Sequence, residues 1–285
     1  MGSALMGGVA VVTDSSAGIP SDLVDELGIR VVPVDVLVDG VVLPPGGSID
    51  LAQAVTDGVK VTTSRSTPEA FERVFAALAD EGFDQVVVAT LSSKLSGTFE
   101  SAVLAGRTSA IEVSVCDSLS VGLALGFPVI NAARVARAGA SAPEVLLVVE
   151  SGVRQSQVFF YVHSLEYLKR GGRISPTSAR LGTALSVKPI MSITNGEVVL
   201  KEKVRTKAKA LAELVRLAVE SAQAREHALI GLQYFGDRIL VDQCAGMLGE
   251  QLPDARLLVS EVSPVIGVHA GPGLVGISIS SSAGD

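Results

Sequence analysis

Hydroxyl side chains crowd one ten-residue stretch, Thr90-Leu91-Ser92-Ser93-Lys94-Leu95-Ser96-Gly97-Thr98-Phe99. It follows a fully apolar run at 86–89 and leads into a helix beginning near Gly97. The first N–H groups of a helix lack intrahelical partners and the helix dipole is positive there, so the stretch has the makings of an anion site. Two others are suited to meet it, Thr62-Thr63-Ser64-Arg65-Ser66-Thr67 upstream and Gly267-Val268-His269-Ala270-Gly271 downstream. Ser96 before a glycine, with His269 available, also allows a serine nucleophile with a histidine base, although no third orienting acid is identifiable.

The elements that must position these groups alternate between strand and helix. Residues 9–13 form a β-branched run ending in Asp14-Ser15-Ser16, read as a buried parallel strand with a functional tip or, equally, with residues that merely cap the next helix. That helix runs from Pro20 to Leu27, and a second apolar run covers 31–38. Pro44-Pro45-Gly46-Gly47 makes a loop without recognisable chemistry. Ser66-Thr67-Pro68-Glu69 starts a helix, with Ser66 as cap and Glu69 three residues on. Phe71, Val74, Phe75 and Leu78 then give it one apolar face. A strand at 113–116 completes a βαβ pattern, hence a parallel sheet with right-handed crossovers.

The second half differs. A helix begins near Pro143, an aromatic β-rich run covers 157–163, and Leu165–Arg173 reads as a short helix stopped by Gly171-Gly172 with a basic last turn. Runs at 188–194 and 197–204 flank Asn195-Gly196, a strong two-residue hairpin signal. Helices at 207–223 and 238–252 alternate with strands at 228–234, 257–262 and 274–280. The fold class is therefore α/β with two domains, a parallel-sheet domain over 1–155 and a mixed α/β domain over 156–285. The last strand is free to return to the first domain.

Composition narrows the function. The 285 residues carry a net charge of −7, which argues against nucleic acid as a partner. Apolar residues reach 48% with only 4% aromatic, so the cores are aliphatic. The longest apolar stretch, 119–133, is interrupted by Ser120, two glycines, Pro128 and Asn131 and falls short of the ~18–20 residues of a membrane span. No Lys or Arg precedes Arg30, so a signal peptide's basic region is lacking. Cys116 and Cys244 have no metal or redox spacing, read as core residues of a protein in a reducing cytoplasm. His163, His227 and His269 have no ligand spacing, so no metal is expected; the first two read as partly buried and His269 as an imidazole on a flexible glycine-rich segment. Gly271-Pro272-Gly273-Leu274-Val275-Gly276 matches G-x-G-x-x-G but is followed by a strand-like run, so dinucleotide binding is rejected.

Taken in order, Thr13-Asp14-Ser15-Ser16, Thr63-Ser64, Ser92 to Phe99, Leu165 to Ser175, Arg205, and His269 with Gly271-Pro272-Gly273 resemble the DegV family of bacterial proteins, over residues 10 to 280. The resemblance implies two α/β domains with a long-chain fatty acid in a tunnel between them. It makes Thr63, Ser96 and His269 the carboxylate ligands, with Ser64, Ser93, Gly97, Thr98 and Gly271 in supporting loops. It further implies a separate ATP-dependent fatty acid kinase as partner, with Arg173 and Arg205 in its docking surface, and no cofactor. Transient membrane-surface contact is compatible with such a carrier. Two departures bear on the tunnel mouth: the 41–50 loop lacks a Tyr-x-Asp-like segment, and Arg65-Ser66 replaces a Gln-Pro pair.

Physical chemistry is consistent with such a ligand. A ~16-carbon tail at about 0.8 kcal/mol per CH₂ releases roughly 12 kcal/mol, against an association cost of about 4–15 kcal/mol, so the tail must be almost wholly enclosed. Hydroxyls and an imidazole suffice for a carboxylate at the dry end of a tunnel. The alternatives are an acyl-transfer or ester-hydrolysing enzyme using Ser96, and a sugar or dihydroxyacetone-type binding domain with a small polar pocket.

Overall fold

The computed structural model describes residues 8–44, 49–179 and 187–282. Most of the 44–47 loop and residues 1–7 of the chain therefore lie outside the described residues. The first sheet is built from β1 (Val9–Asp14), β2 (Arg30–Val32), β6 (Gln85–Thr90) and β7 (Glu112–Asp117), all parallel in the order β2-β1-β6-β7. Five of the six residues of both β1 and β6 are buried, as expected of strands covered on two faces. Because β2 and β6 flank β1 on opposite sides, a crevice opens beyond the carboxyl ends of β1 and β6, at Asp14 and Thr90. Helices α1 (Ser21–Leu27), α3 (Pro68–Asp80) and α4 (Thr98–Gly106) belong to this half.

The apolar run at 31–38 is divided. Pro33, lacking an N–H, interrupts it, and β3 (Val36–Val38) joins β4 (Val41–Val42) and β5 (Val61–Thr63) in a small antiparallel sheet beside α2 (Leu51–Thr56). The cap of α3 is Thr67, not Ser66: Thr67 Oγ1 accepts from the Ala70 N–H, while buried Ser66 donates to the Pro33 carbonyl at 2.7 Å. One residue's shift frees Ser66 to tie the two segments together.

The stretch examined as a membrane span supplies α5 (Leu123–Arg137), whose residues 123–133 are all buried. It packs against β1, β13 and α6 (Ala142–Gln155), so it lies between the two main sheets. A helix covered all round has no polar stripe, which is why its periodicity is unreadable. Its internal Pro128 sits against Gly152 of α6, where a Cβ would come within 3.0 Å of the proline ring.

The second sheet has the order β10-β9-β8-β13-β11-β12, from β8 (Gln157–Tyr161), β9 (Lys188–Thr194), β10 (Glu197–Val204), β11 (Ala228–Tyr234), β12 (Leu257–Glu261) and β13 (Val275–Ser281). The last strand lies inside this sheet, antiparallel to both β8 and β11. α7 (Glu166–Arg170), α8 (Pro176–Ala179), α9 (Lys207–Gln223), α10 (Ile239–Gln251) and α11 (Pro264–Ala270) complete the fold. Among the described residues no helix is long and apolar enough to cross a membrane, and no cluster suits a metal ion. Both cysteines are buried and free. His163 and His227 are exposed rather than partly buried, because each lies just outside a strand end.

Candidate functional site

Beyond the carboxyl ends of β1 and β6, three separate segments converge. Thr63 closes β5, Ser96 stands in the turn between β6 and α4, and His269 occupies the last turn of α11. Thr63 Oγ1 and His269 Nε2 are 2.7 Å apart, joining residues 206 positions apart in the chain. Ser96 Oγ is 2.9 Å from Thr98 Oγ1. All three expected head-group residues line one cavity, with Ser64, Arg65, Leu95 and Arg173 beside them.

The serine turn is held from both halves of the molecule. Buried Asp14 accepts from the Leu91 N–H at 2.7 Å and from the Ser16 N–H at 2.9 Å. Burial nevertheless pushes its carboxyl above the usual carboxylate range, opposed by these hydrogen bonds. Asp117 accepts from the Ser93 N–H at 3.1 Å. Ser92 Oγ donates to the Gly196 carbonyl at 2.8 Å, so the β9–β10 hairpin tip clasps the turn. Asn195 and Gly196 both have positive φ, the geometry that Asn-Gly favours in a two-residue hairpin.

His269 rests on a helix rather than on a flexible glycine segment. Pro264 at its first turn starts α11, and Gly267 is required because a Cβ there would lie 2.4 Å from the Phe235 ring. Burial, and secondarily the Arg173 guanidinium, push the imidazole down to about 4, so it is neutral near pH 7. Gly271 does not line the cavity. Its φ of +84° and the Tyr167 ring, 2.2 Å from where a Cβ would stand, make it the hinge that lets α7 pack against the end of α11.

The remaining candidates separate. Ser64 lines the cavity and donates to Asp35 at 3.4 Å. Ser93, Gly97 and Thr98 shape the turn without lining the cavity, Gly97 as the residue preceding α4. Arg173 lines the cavity wall, and its Nε donates to the Leu95 carbonyl at 3.2 Å. Arg205 is exposed beyond β10 and away from the cavity.

Away from this polar end the walls are Leu91, Val121, Val158, Phe160, Ile193 and Val198, among others. Neither Asp nor Glu is among the lining residues, whereas two arginines are. The internal volume is about 100 Å³, below the roughly 300–1,000 Å³ of typical small-molecule pockets. A long ligand would need more room than this volume provides.

Two lining residues escape sequence reasoning. Gln233 of β11 reaches across to the first half, where its Oε1 accepts from the Leu123 N–H at 2.9 Å. It fits between Gly18 and Gly122, either of whose Cβ would lie 2.5 Å from its amide. Ser278 of β13 is 2% exposed and lines the cavity, opposite Val158 in the sheet register, and its hydroxyl has no hydrogen-bond partner among the described residues. A single Gln or Ser in a strand carries no sequence signal of this kind. Gly171 was legible only as a helix stop, though its second role is to admit the imidazole.

The family model described as "Uncharacterised protein, DegV family" matches residues 8–282. The DegV domain-containing protein SCO2569 of Streptomyces coelicolor is 39% identical over 277 residues, covering 96% of this chain and 98% of that protein. Rv2417c of Mycobacterium tuberculosis is 35% identical over 280 residues, with 96% and 98% covered. Among solved structures, the fatty acid-binding DegV family protein of Thermus thermophilus superposes with a TM-score of 0.89 at 35% identity, covering 96% of this chain and 99% of that one. DegV of Bacillus subtilis, also described as a fatty acid-binding protein, gives 0.87 at 28% identity, with 96% and 99% covered.

Proposed function

The chain belongs to the DegV family, and on that premise we propose that it binds a long-chain fatty acid and presents the carboxylate to a separate ATP-dependent fatty acid kinase. One observation carries the reading: the cavity is mostly apolar, and hydroxyls, a neutral imidazole and guanidinium groups gather at one end of it without any acidic side chain. Such an end accepts an anion, and such walls accept a hydrocarbon tail. The Thermus and Bacillus relatives, similar over nearly the whole chain, are described as fatty acid-binding.

The hydrogen bonds support distinct roles for the proposed donors. When His269 carries its proton on Nε2, it donates to Thr63 Oγ1 across 2.7 Å, and the Thr63 hydroxyl proton is free to point at the ligand. When Thr98 donates to Ser96, the Ser96 proton is likewise free. A carboxylate selects both arrangements because it accepts only. Charge-assisted hydrogen bonds of this kind contribute about 1.5–3 kcal/mol each. The tail supplies the rest by leaving water.

The hydrolase reading requires Ser96 to hand a proton to His269. His269 is already paired with Thr63, and no acid lines the cavity to orient the imidazole. Binding is the better account. Arg173 and Arg205 are proposed for kinase docking, and they differ in what they test. Because Arg173 also holds the Leu95 carbonyl, its loss disturbs the head-group end, whereas exposed Arg205 reports on docking alone.

The direct test is native mass spectrometry of protein purified without added lipid, followed by extraction of whatever it holds. Stoichiometric free fatty acid is expected. Folded protein that carries no lipid and takes none up would defeat the proposal.

A further inference from the structure

Arg65 stands at the mouth of the cavity as an exposed residue whose side chain also lines it. It has neither a hydrogen bond nor an ion pair among the described residues. Its position is defined by Gly97: a Cβ there would lie 2.9 Å from Arg65 Nη1 and 3.0 Å from Cδ, so the guanidinium lies across the chain just ahead of α4. That end of a helix repels a cation, so local attraction does not account for the placement. The nearby carboxylate of Asp35 is turned to Ser64 Oγ and does not line the cavity.

Of the two cations in the wall, Arg173 is committed to the Leu95 and Gly171 carbonyls. Arg65 keeps all its donors. We propose that Arg65 is the residue that makes the site selective for ionised acids, capturing the carboxylate at the mouth before Thr63, Ser96 and His269 receive it. This rests on the fatty acid reading above and adds a specificity determinant to it. A rim charge of this kind acts mainly on the association rate and its salt dependence, because exposed charges attract through a screened field. On a chain of net charge −7, which repels anions overall, one unpaired cation at the entrance counters that repulsion where it matters.

The test compares palmitate with hexadecanol, which shares the tail but has no charge. Association rates are measured by stopped flow at about pH 8 while ionic strength rises from about 20 to about 300 mM. For the unaltered protein the palmitate rate should fall with salt and the hexadecanol rate should not. Arg65→Gln should slow palmitate about 3- to 10-fold at low salt and flatten its salt dependence, leaving hexadecanol unchanged, and Arg65→Lys should restore most of the rate. If Arg65→Gln slows both compounds alike, or slows neither, the proposal is overturned while fatty acid binding stands. If the unaltered protein takes up neither compound, the fatty acid reading itself fails, and Arg65 selectivity with it.

Discussion

The His269 imidazole occupies the space that a side chain at Gly171 would need: a Cβ there would lie 2.3 Å from Nδ1. Gly171 has a φ of −73°, which any residue adopts, so this glycine is required by the imidazole rather than by its backbone. Gly171→Ala should therefore leave the fold intact and displace the ring from Thr63. Fatty acid affinity should fall about 10- to 150-fold, the value of one charge-assisted hydrogen bond, while the thermal midpoint moves little. Isothermal titration and a melting curve on one preparation check both halves.

Removing the hydroxyls tests the head-group assignment. Ser96→Ala and Thr63→Val should each weaken binding of a fatty acid by about 1–3 kcal/mol, a factor of roughly 5 to 150. Thr63→Val should cost more, because it also strands the His269 Nε2. Unchanged affinity in both would remove these residues from the site.

The imidazole makes the ligand-free protein sensitive to acid. His269 is held at about 4 in the fold, against an ordinary value of 6.5. The unfolded chain therefore binds the proton more readily between those values, and stability present above pH 6.5 is lost as pH falls toward 4. The loss attributable to this group is up to about 3 kcal/mol. Urea denaturation across that range should show the unaltered protein losing more stability than His269→Gln, and parallel curves would contradict it.

In the cavity wall, the unpartnered Ser278 hydroxyl is a cost to any hydrocarbon tail. Ser278→Ala should raise affinity for palmitate by about 2- to 10-fold, the reverse of the usual effect of a cavity-wall substitution. Competition between the two proteins for limiting palmitate would show it.

Asp14 holds two backbone N–H groups in a buried setting. Asp14→Ala leaves both without a partner and should destabilise the protein by about 2–5 kcal/mol, with the serine turn loosened as well. Asp14→Asn keeps an acceptor and should lose less. Chemical denaturation ranks the two, and equal losses would mean that the carboxylate serves something other than these N–H groups.

Much of this architecture can be read from one dimension. Asn195-Gly196 marked a hairpin that forms between β9 and β10 as expected, and α9 runs over the residues its pattern spans. The parallel sheet followed from apolar runs alternating with helices, and hydroxyls at a strand end followed by a glycine pointed to Ser96. Local rules failed where burial replaced periodicity. α5 is covered on every side, so no stripe betrays it, and α11 is a seven-residue helix rich in glycine, which propensity alone does not favour. His269 consequently reads as a residue on a flexible segment, although packing holds it firmly.

What the sequence determined by itself is the family, the α/β class and the residues proposed to hold a carboxylate, since these depend on residue types and local order. What only the tertiary structure decided is which of them meet. Thr63 touches His269 across 206 residues, Ser96 pairs with Thr98, Gln233 wedges between Gly18 and Gly122, and Arg65 and Ser278 line one cavity. These relationships come from the packing of two sheets around a buried helix, and side-chain proximity of that kind has no period along the chain for a sequence to display.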